Sequence, residues 1–365
     1  MATTWRDGQR TCNWGISTAI LLAVSLQLFL FSPSSPGVLE IPPPSSVLPA
    51  PANGRLQEVI KLGEGLLKQP EDVAVNKRGV VYTATRDGWI KRLLRNGTWE
   101  SWRRIESESL LGLTTAATTA GDDRVIVCDA EQGLLEVGEE GVRVLVSHVD
   151  GAELRFADDV IGSSDGTLYF SVASTKHSFR NWELDMLEDK PHGQLLTYDP
   201  SSNVASVLLD NLGFANGVAL SADEDYLVVC ETWKYRCLKY WLKGEMKGQT
   251  EIFIDNLPGA PDNIKLAPNG SFWIALLETI PNRLRFVYRS RAFRYSIRAI
   301  PELAKWVVGS YKKAMVVNVG SDGKIIRGFD DPTGKVMAFV TSALEFDGHL
   351  YLGSLHTDFV GKLPL

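Results

Sequence analysis

The sequence predicts an all-β protein, a six-bladed β-propeller closed into a ring. Three observations carry this. A hairpin signature recurs along the chain, each time with an oxygen-bearing residue just ahead of its first strand. The copies return at roughly 40–50 residues, the spacing of a propeller blade. A strand-like segment, Arg55 to Leu62, precedes the first copy and is free to complete the last sheet, which removes exposed edges.

The plainest copy is Gly259-Ala260-Pro261-Asp262-Asn263-Ile264-Lys265-Leu266, followed by a Pro268-Asn269-Gly270 turn and the apolar strand Ser271 to Ala275. The same grammar runs from Gln69-Pro70-Glu71-Asp72-Val73 to Thr83, from Phe156-Ala157-Asp158-Asp159-Val160 to Phe170, and from Phe214-Ala215-Asn216-Gly217-Val218 to Val229. Positions near the start of each repeat, Asp72, Thr115, Asp159, Gly217 and Asn263, lie 43, 44, 58 and 46 residues apart. The long interval carries a polar excursion, Lys176 to Pro191, read as a loop on one face. Another 79 residues separate Asn263 from Ser342, which is one blade plus an insertion, and the last hairpin runs from Ala343 to Gly353. The propeller therefore spans residues 55–365.

Ahead of it the chain changes character. Residues 1–14 read as a cytosolic N-terminus, and 15–31 are almost wholly apolar, with Arg6 and Arg10 upstream. That length is at the short end of a membrane span, about 17–25 residues, and long for a signal-peptide core. The arginines hold the N-terminus in the cytosol and send the body into the lumen. Signal anchor and removed signal peptide both stay open; each predicts the secretory pathway, in the ER lumen or membrane or the vacuole. Residues 32–54 are a proline-rich linker. Asn96-Gly97-Thr98 and Asn269-Gly270-Ser271 are glycosylation sequons in predicted turns. Cys230 and Cys237 flank a hairpin turn and either pair across it or remain core thiols with Cys128.

Composition excludes some classes. The 365 residues are 44% hydrophobic and 22% charged with a net charge of −6, so the body is an ordinary globular one without a nucleic-acid footprint. The insertion, residues 282–313, is the basic exception. Nine Lys or Arg face Glu302 alone, and Phe286, Phe293, Ile297 and Ile300 fall at helical spacing. It reads either as a basic amphipathic helix on a membrane surface or as a helical cap on the propeller. There is no zinc spacing and no phosphate loop. The five histidines, His148, His177, His192, His349 and His356, pair at no ligand spacing. His177 and His192 fall in or beside the excursion, and His356 reads as structural.

The innermost strand of each blade lines the channel, so Glu71, Asp158, Asn216 and Asp262 converge on the axis. Three carboxylates and an amide repel one another unless a cation sits between them or they share protons. An all-oxygen donor set suits a hard cation, and Ca²⁺ tolerates irregular geometry. Asp72, Asp159 and Asn263, one residue further on, either support these groups or hold a second ion. The plainer alternative is that such residues form turns and cap strands.

At these residues the chain resembles the strictosidine synthase-like family of six-bladed propellers. It is more distantly similar to paraoxonases and to the gluconolactonase and senescence-marker group. The resemblance covers about Leu56 to Leu365 and is most specific at Pro70 to Val73, Phe214 to Ser221, Leu257 to Ile264 and Asp347 to Ser354. It implies a calcium deep in the channel, with Glu71, Asn216, Asp262 and Asn263 on the ligand motifs. A further ligand of the metal-dependent relatives is an asparagine in Phe-x-Asn-Asp; here Asp158 takes that place. Paraoxonases carry a histidine before the glycine opening the second blade, where this chain has Leu111 before Gly112. Strictosidine synthases use a glutamate ahead of the last hairpin, but Lys335 to Ser342 contains no acid. Glu345 lies too close to the turn, and Glu278 belongs to an earlier blade. The function implied is a calcium-dependent, arylesterase-like hydrolase of small esters or lactones, with Asp262 or a metal-held water as the base. The alternative is a non-catalytic, membrane-tethered binding propeller, reaching the membrane through residues 15–31 and 282–313. Pictet–Spengler condensation ranks last.

Overall fold

A computed structural model describes residues 53–116, 123–188, 190–278 and 313–365. The apolar segment 15–31, nearly all of the linker 32–54 and all but the last residue of the insertion 282–313 lie outside the described residues.

Six four-stranded antiparallel sheets make the propeller. Their first strands are Val73–Val75, Leu110–Thr115, Ala157–Gly162, Ala215–Leu220, Ala260–Leu266 and Val340–Phe346. Each packs against the first strands of the blades on either side, and the sixth meets the first, so the ring closes. Ile60–Leu62 pairs antiparallel with Val360–Pro364, supplying the outer strand of blade six from the start of the chain. The expected strand Arg55 to Leu62 is split: Arg55–Glu58 form a 3-10 turn, and pairing begins at Ile60.

Blades pack face to face, so their inner strands are buried on both sides and read as continuous apolar runs; Phe272–Leu277 is buried throughout. Outermost strands such as Val204–Leu212 are exposed or half-buried along nearly all of their length. Blade five pairs Leu276 with Met315, which places the insertion between its second and third strands. Within the excursion of blade three the structure forms a 3-10 turn, Phe179–Asn181, and a short helix α1, Trp182–Glu188, where the sequence reading had a loop. Cys230 and Cys237 are opposed on neighbouring strands of blade four and joined by a disulfide. Asn96 and Asn269 stand exposed in turns.

The first strands share one irregularity. Pairing with the second strand shifts between Leu110 and Leu113, Ala157 and Val160, Ala215 and Val218, Pro261 and Ile264, and Val340 and Ser342. A bulge frees side chains from the ladder and re-aims them. The freed residues are Leu111-Gly112, Asp158-Asp159, Asn216-Gly217, Asp262-Asn263 and Thr341, and Glu71-Asp72 precede the first strand in the same manner. Blade two is therefore equivalent at Gly112 and not at Thr115, which lies further along the strand and pairs with Val125. Glycine is required where blades approach most closely. A Cβ on Gly112 would come within 2.5 Å of Asp159 Oδ1, and one on Gly217 within 2.4 Å of the Ile264 nitrogen.

Candidate metal centre in the channel

The bulges of blades three to five, and the residues just ahead of the first strand of blade one, deliver polar side chains to the axis at two consecutive positions, and the two sets have different fates. In the first set, Glu71, Asp158, Asn216 and Asp262 are buried, with exposures of 2 to 5%, as is Asn263 beside them. The Asn263 amide donates to Glu71 Oε1 at 2.7 Å, and the Asn216 amide to Asp262. The structure thus gathers all five sequence-chosen residues at one place. Glu71 Oε2, Asn216 Oδ1 and Asn263 Oδ1 have no hydrogen-bond partner.

Electrostatics match that geometry. Burial and then the charges of Asp72 and Asp262 push Glu71 well above the usual carboxylate range. Asp158 is raised by burial and then by Glu71, and Asp262 by burial and then by Asp158. Acceptors without donors, among carboxyls that resist ionising together, are a donor set for a hard cation; the residues fit Ca²⁺.

In the second set Asp72 and Asp159 are fully buried and fully satisfied. Asp72 accepts from the backbone N–H groups of Val73 and Leu113 at 2.8 and 2.9 Å. Asp159 accepts from those of Val160 and Val218 at 2.8 and 2.9 Å. Between them lies the Lys265 ammonium, 2.8 Å from Asp72 and 3.1 Å from Asp159. Burial works against the Lys265 charge, but the two aspartates outweigh it and raise the pKa. Burial lifts Asp159 to about 6, Lys265 opposing it. Lys265 supplies the counter-charge for this pair, so the expectation of a second ion at Asp72 and Asp159 gives way to an internal cation. Beyond it the channel opens into a cavity of about 280 Å³, lined by the far ends of the inner strands.

Two further groups escaped the sequence reading. Arg86 follows the second strand of blade one, is 7% exposed, and lies 4.1 Å over the Phe179 ring. Burial lowers it to about 10, Glu71 and Asp158 opposing, so it remains charged at neutral pH. Its Nη2 has no partner. Phe179 continues into a cluster of Phe156, Phe214 and Trp233, with ring centroids 4.4 to 5.5 Å apart. His177 and His192, unpaired by sequence spacing, are drawn together with Glu188. His356 stacks on Phe339, as a structural histidine should. Glu345 accepts from the Trp273 indole and Glu278 pairs with Lys313, which gives neither glutamate a place in this donor set.

A strictosidine synthase family profile matches residues 158–245, and a strictosidine synthase-like N-terminal profile matches residues 49–93. The chain is 34% identical to strictosidine synthase-like protein 4 of Arabidopsis thaliana, over 94% of this chain and 93% of that one. The chain belongs to the strictosidine synthase-like family. Adipocyte plasma membrane-associated protein of Gallus gallus is 33% identical over 86% of this chain and 79% of its own. Among solved structures, a gluconolactonase from Xanthomonas campestris superimposes with a TM-score of 0.60 at 16% identity, covering 86% of this chain and 91% of its own. A calcium-binding protein, regucalcin, from Agrobacterium tumefaciens gives 0.54 at 12%, covering 81% and 90%. At those identities the likeness is one of fold. This strictosidine synthase-like chain keeps the propeller but has Leu111, 3% exposed, at its second-blade bulge and Thr341 at its sixth.

Proposed function

We propose that this strictosidine synthase-like propeller binds Ca²⁺ at its axis and hydrolyses small esters or lactones. The observation that carries the reading is the set of three buried acceptor oxygens without donors, on Glu71, Asn216 and Asn263, beside Asp158 and Asp262. Bound there, Ca²⁺ would polarise a substrate carbonyl and stabilise the charge that develops on its oxygen. Asp262, raised by burial and by Asp158, would take the proton of an attacking water. Arg86 Nη2 offers an N–H to an acyl oxygen, and the Phe156, Phe179, Phe214 and Trp233 cluster gives an apolar wall for an acyl or aryl group. The regucalcin and gluconolactonase likenesses lend support at the level of fold.

The test is elemental analysis of the purified full-length chain, with aryl-ester and lactone turnover measured on the same sample with and without chelator. One calcium per chain and chelator-sensitive turnover are expected. Calcium without turnover would favour the non-catalytic binding propeller, a reading to which Leu111 and Asp158 lend weight. Absence of calcium would overturn the metal-dependent mechanism and mean that the axial carboxyls are protonated or hydrogen-bonded. We place the body in the secretory pathway on the Cys230–Cys237 disulfide. Glycosidase-sensitive mobility, lost in Asn96→Gln and Asn269→Gln, checks that placement.

A further inference from the structure

The excursion of blade three leaves its sheet after Val172 and rejoins it at Gly193. Its ends lie side by side: the Thr175 N–H donates to the His192 carbonyl at 2.9 Å, and the Thr175 hydroxyl at 3.1 Å. That closure draws His177 and His192 to one corner, with ring centroids 5.7 Å apart. Helix α1 ends there and brings Glu188. One donor atom from each of the three lies within 4.8 Å of the others. Ligands at about 2.0–2.2 Å from a common tetrahedral ion stand about 3.3–3.6 Å apart, inside that limit.

The corner is built from behind. His192 Nδ1 lies 3.1 Å from Asp185 Oδ2. Asp185 is fully buried and fixed by the Ser174 hydroxyl at 2.6 Å and the Trp233 indole N–H at 2.9 Å. An imidazole held by a carboxylate at one nitrogen presents the other as a ligand, the support that histidine metal sites use. Glu188 is fully buried, while the His177 and His192 side chains keep 12% and 16% exposure, enough for an ion to enter from solvent. A buried carboxylate needs a cation. Here the Lys176 ammonium stands 2.6 and 2.8 Å from the two Glu188 oxygens. Its side chain is 42% exposed, so it can swing into water when a stronger cation arrives.

We propose that His177, Glu188 and His192 form a second metal site, for a zinc-type dication, with Asp185 as its positioning residue and Lys176 as a displaceable stand-in for the ion. Two imidazoles and one carboxylate are the donor set of zinc sites with an open position. The all-oxygen channel selects differently, so the two sites sort metals by ligand softness. The site clips the excursion to its blade, independently of the activity proposed above.

The experiment is calorimetric titration of the full-length chain, prepared without a polyhistidine tag and with Ca²⁺ present, using Zn²⁺ alone as the probe. One Zn²⁺ per chain is expected. His177→Ala and His192→Ala should each weaken it at least about tenfold, and Asp185→Asn by about 10–100-fold. Lys176→Met should tighten binding, since the competing ammonium is gone. Asp262→Asn should leave it unchanged, which separates this site from the channel. Should His192→Ala fail to fold, His177→Ala, altered in the loop, keeps the test, and Co²⁺ bound to the unaltered chain should show visible ligand-field absorption. No binding by the unaltered chain, unchanged affinity in His177→Ala, or weaker binding in Lys176→Met would overturn the proposal.

Discussion

Asp72 and Asp159 sit one residue along from Glu71 and Asp158, in the same blades and similarly buried, yet the two levels of the channel solve opposite problems. At the Asp72–Asp159 level each carboxylate meets backbone N–H groups and an ammonium supplied by the chain itself. At the Glu71–Asp158–Asp262 level the acidic groups face amides and one another, and three acceptor oxygens go unmet. In blade three a single bulge generates both levels, because it presents two consecutive side chains where a regular strand would present one, and in blade one the two residues ahead of the first strand do the same. The difference separates fold from function: the satisfied level ties blades one, three and five together, and the unsatisfied level keeps valence for something outside the chain.

The largest expected effect comes from breaking the satisfied level. Lys265→Met removes the ammonium and leaves Asp72 and Asp159 buried without a counter-ion. Removing one partner of a buried ion pair costs about 3–5 kcal/mol. Denaturant unfolding of the variant at neutral pH should show a loss in that range. A loss below about 1 kcal/mol would place the contribution in the backbone N–H groups instead.

A smaller effect sharpens the same contrast, because it has opposite signs at the two levels. A ligand specific to the native state stabilises it by about 2.7 kcal/mol at a hundred times its Kd, so chelation should lower the melting temperature of the unaltered chain. Asp262→Asn should abolish that sensitivity. In chelator it should also melt above the unaltered chain, since it removes one of several buried carboxyls that repel. Asp159→Asn should melt lower with or without calcium, because it replaces an acceptor that Val218 and Lys265 both require. Melting shifts of the same sign for both variants would mean that the levels do not differ as described.

What the sequence disclosed follows this division. The blade period and the oxygen-bearing residue near the start of four of the first strands were legible because both recur, and recurrence placed Glu71, Asp158, Asn216, Asp262 and Asn263 at one axis. Lys265 was missed although a signal existed: it is the only charge in the apolar run Ile264-Lys265-Leu266, two residues beyond Asn263. Arg86 gave none, for Thr85-Arg86-Asp87-Gly88 reads as an ordinary polar turn, and it is the fold that turns it inward, onto Phe179 and the Glu108 and Leu110 carbonyls. Thr115 was misaligned because blade two has Leu111-Gly112 where other blades carry a polar side chain, so composition offered no anchor. His177 and His192 are distant in number but stand near the two ends of one loop, and the ends of a closed loop are neighbours in space.

Asp331, at the outer edge of blade five, shows a third way to hold a buried carboxylate, without any cation. Its Oδ1 accepts from Gln57 Nε2 at 2.8 Å, the Thr333 N–H at 3.0 Å, the Thr333 hydroxyl at 2.8 Å and the Gly334 N–H at 2.9 Å. Its Oδ2 accepts from the Val336 and Met337 N–H groups at 2.9 and 3.2 Å. Burial opposes the charge, but these donors, Gln57 and Val336 foremost, outweigh it and hold the carboxyl well below its usual range. A carboxyl depressed in the folded state contributes stability that is complete above the unfolded value, about 3.9, and is lost as pH falls below it. Asp331→Asn should therefore cost about 1 kcal/mol near neutrality, and the cost should shrink as the pH is lowered below 4 in paired unfolding curves. Gln57 belongs to the turn just ahead of the ring-closing strand, so the loss should appear as easier release of that strand, read as faster exchange of those amides of Ile60–Leu62 that bond to Val360–Pro364. A cost independent of pH would mean that shape at this corner, and not charge, holds the closure.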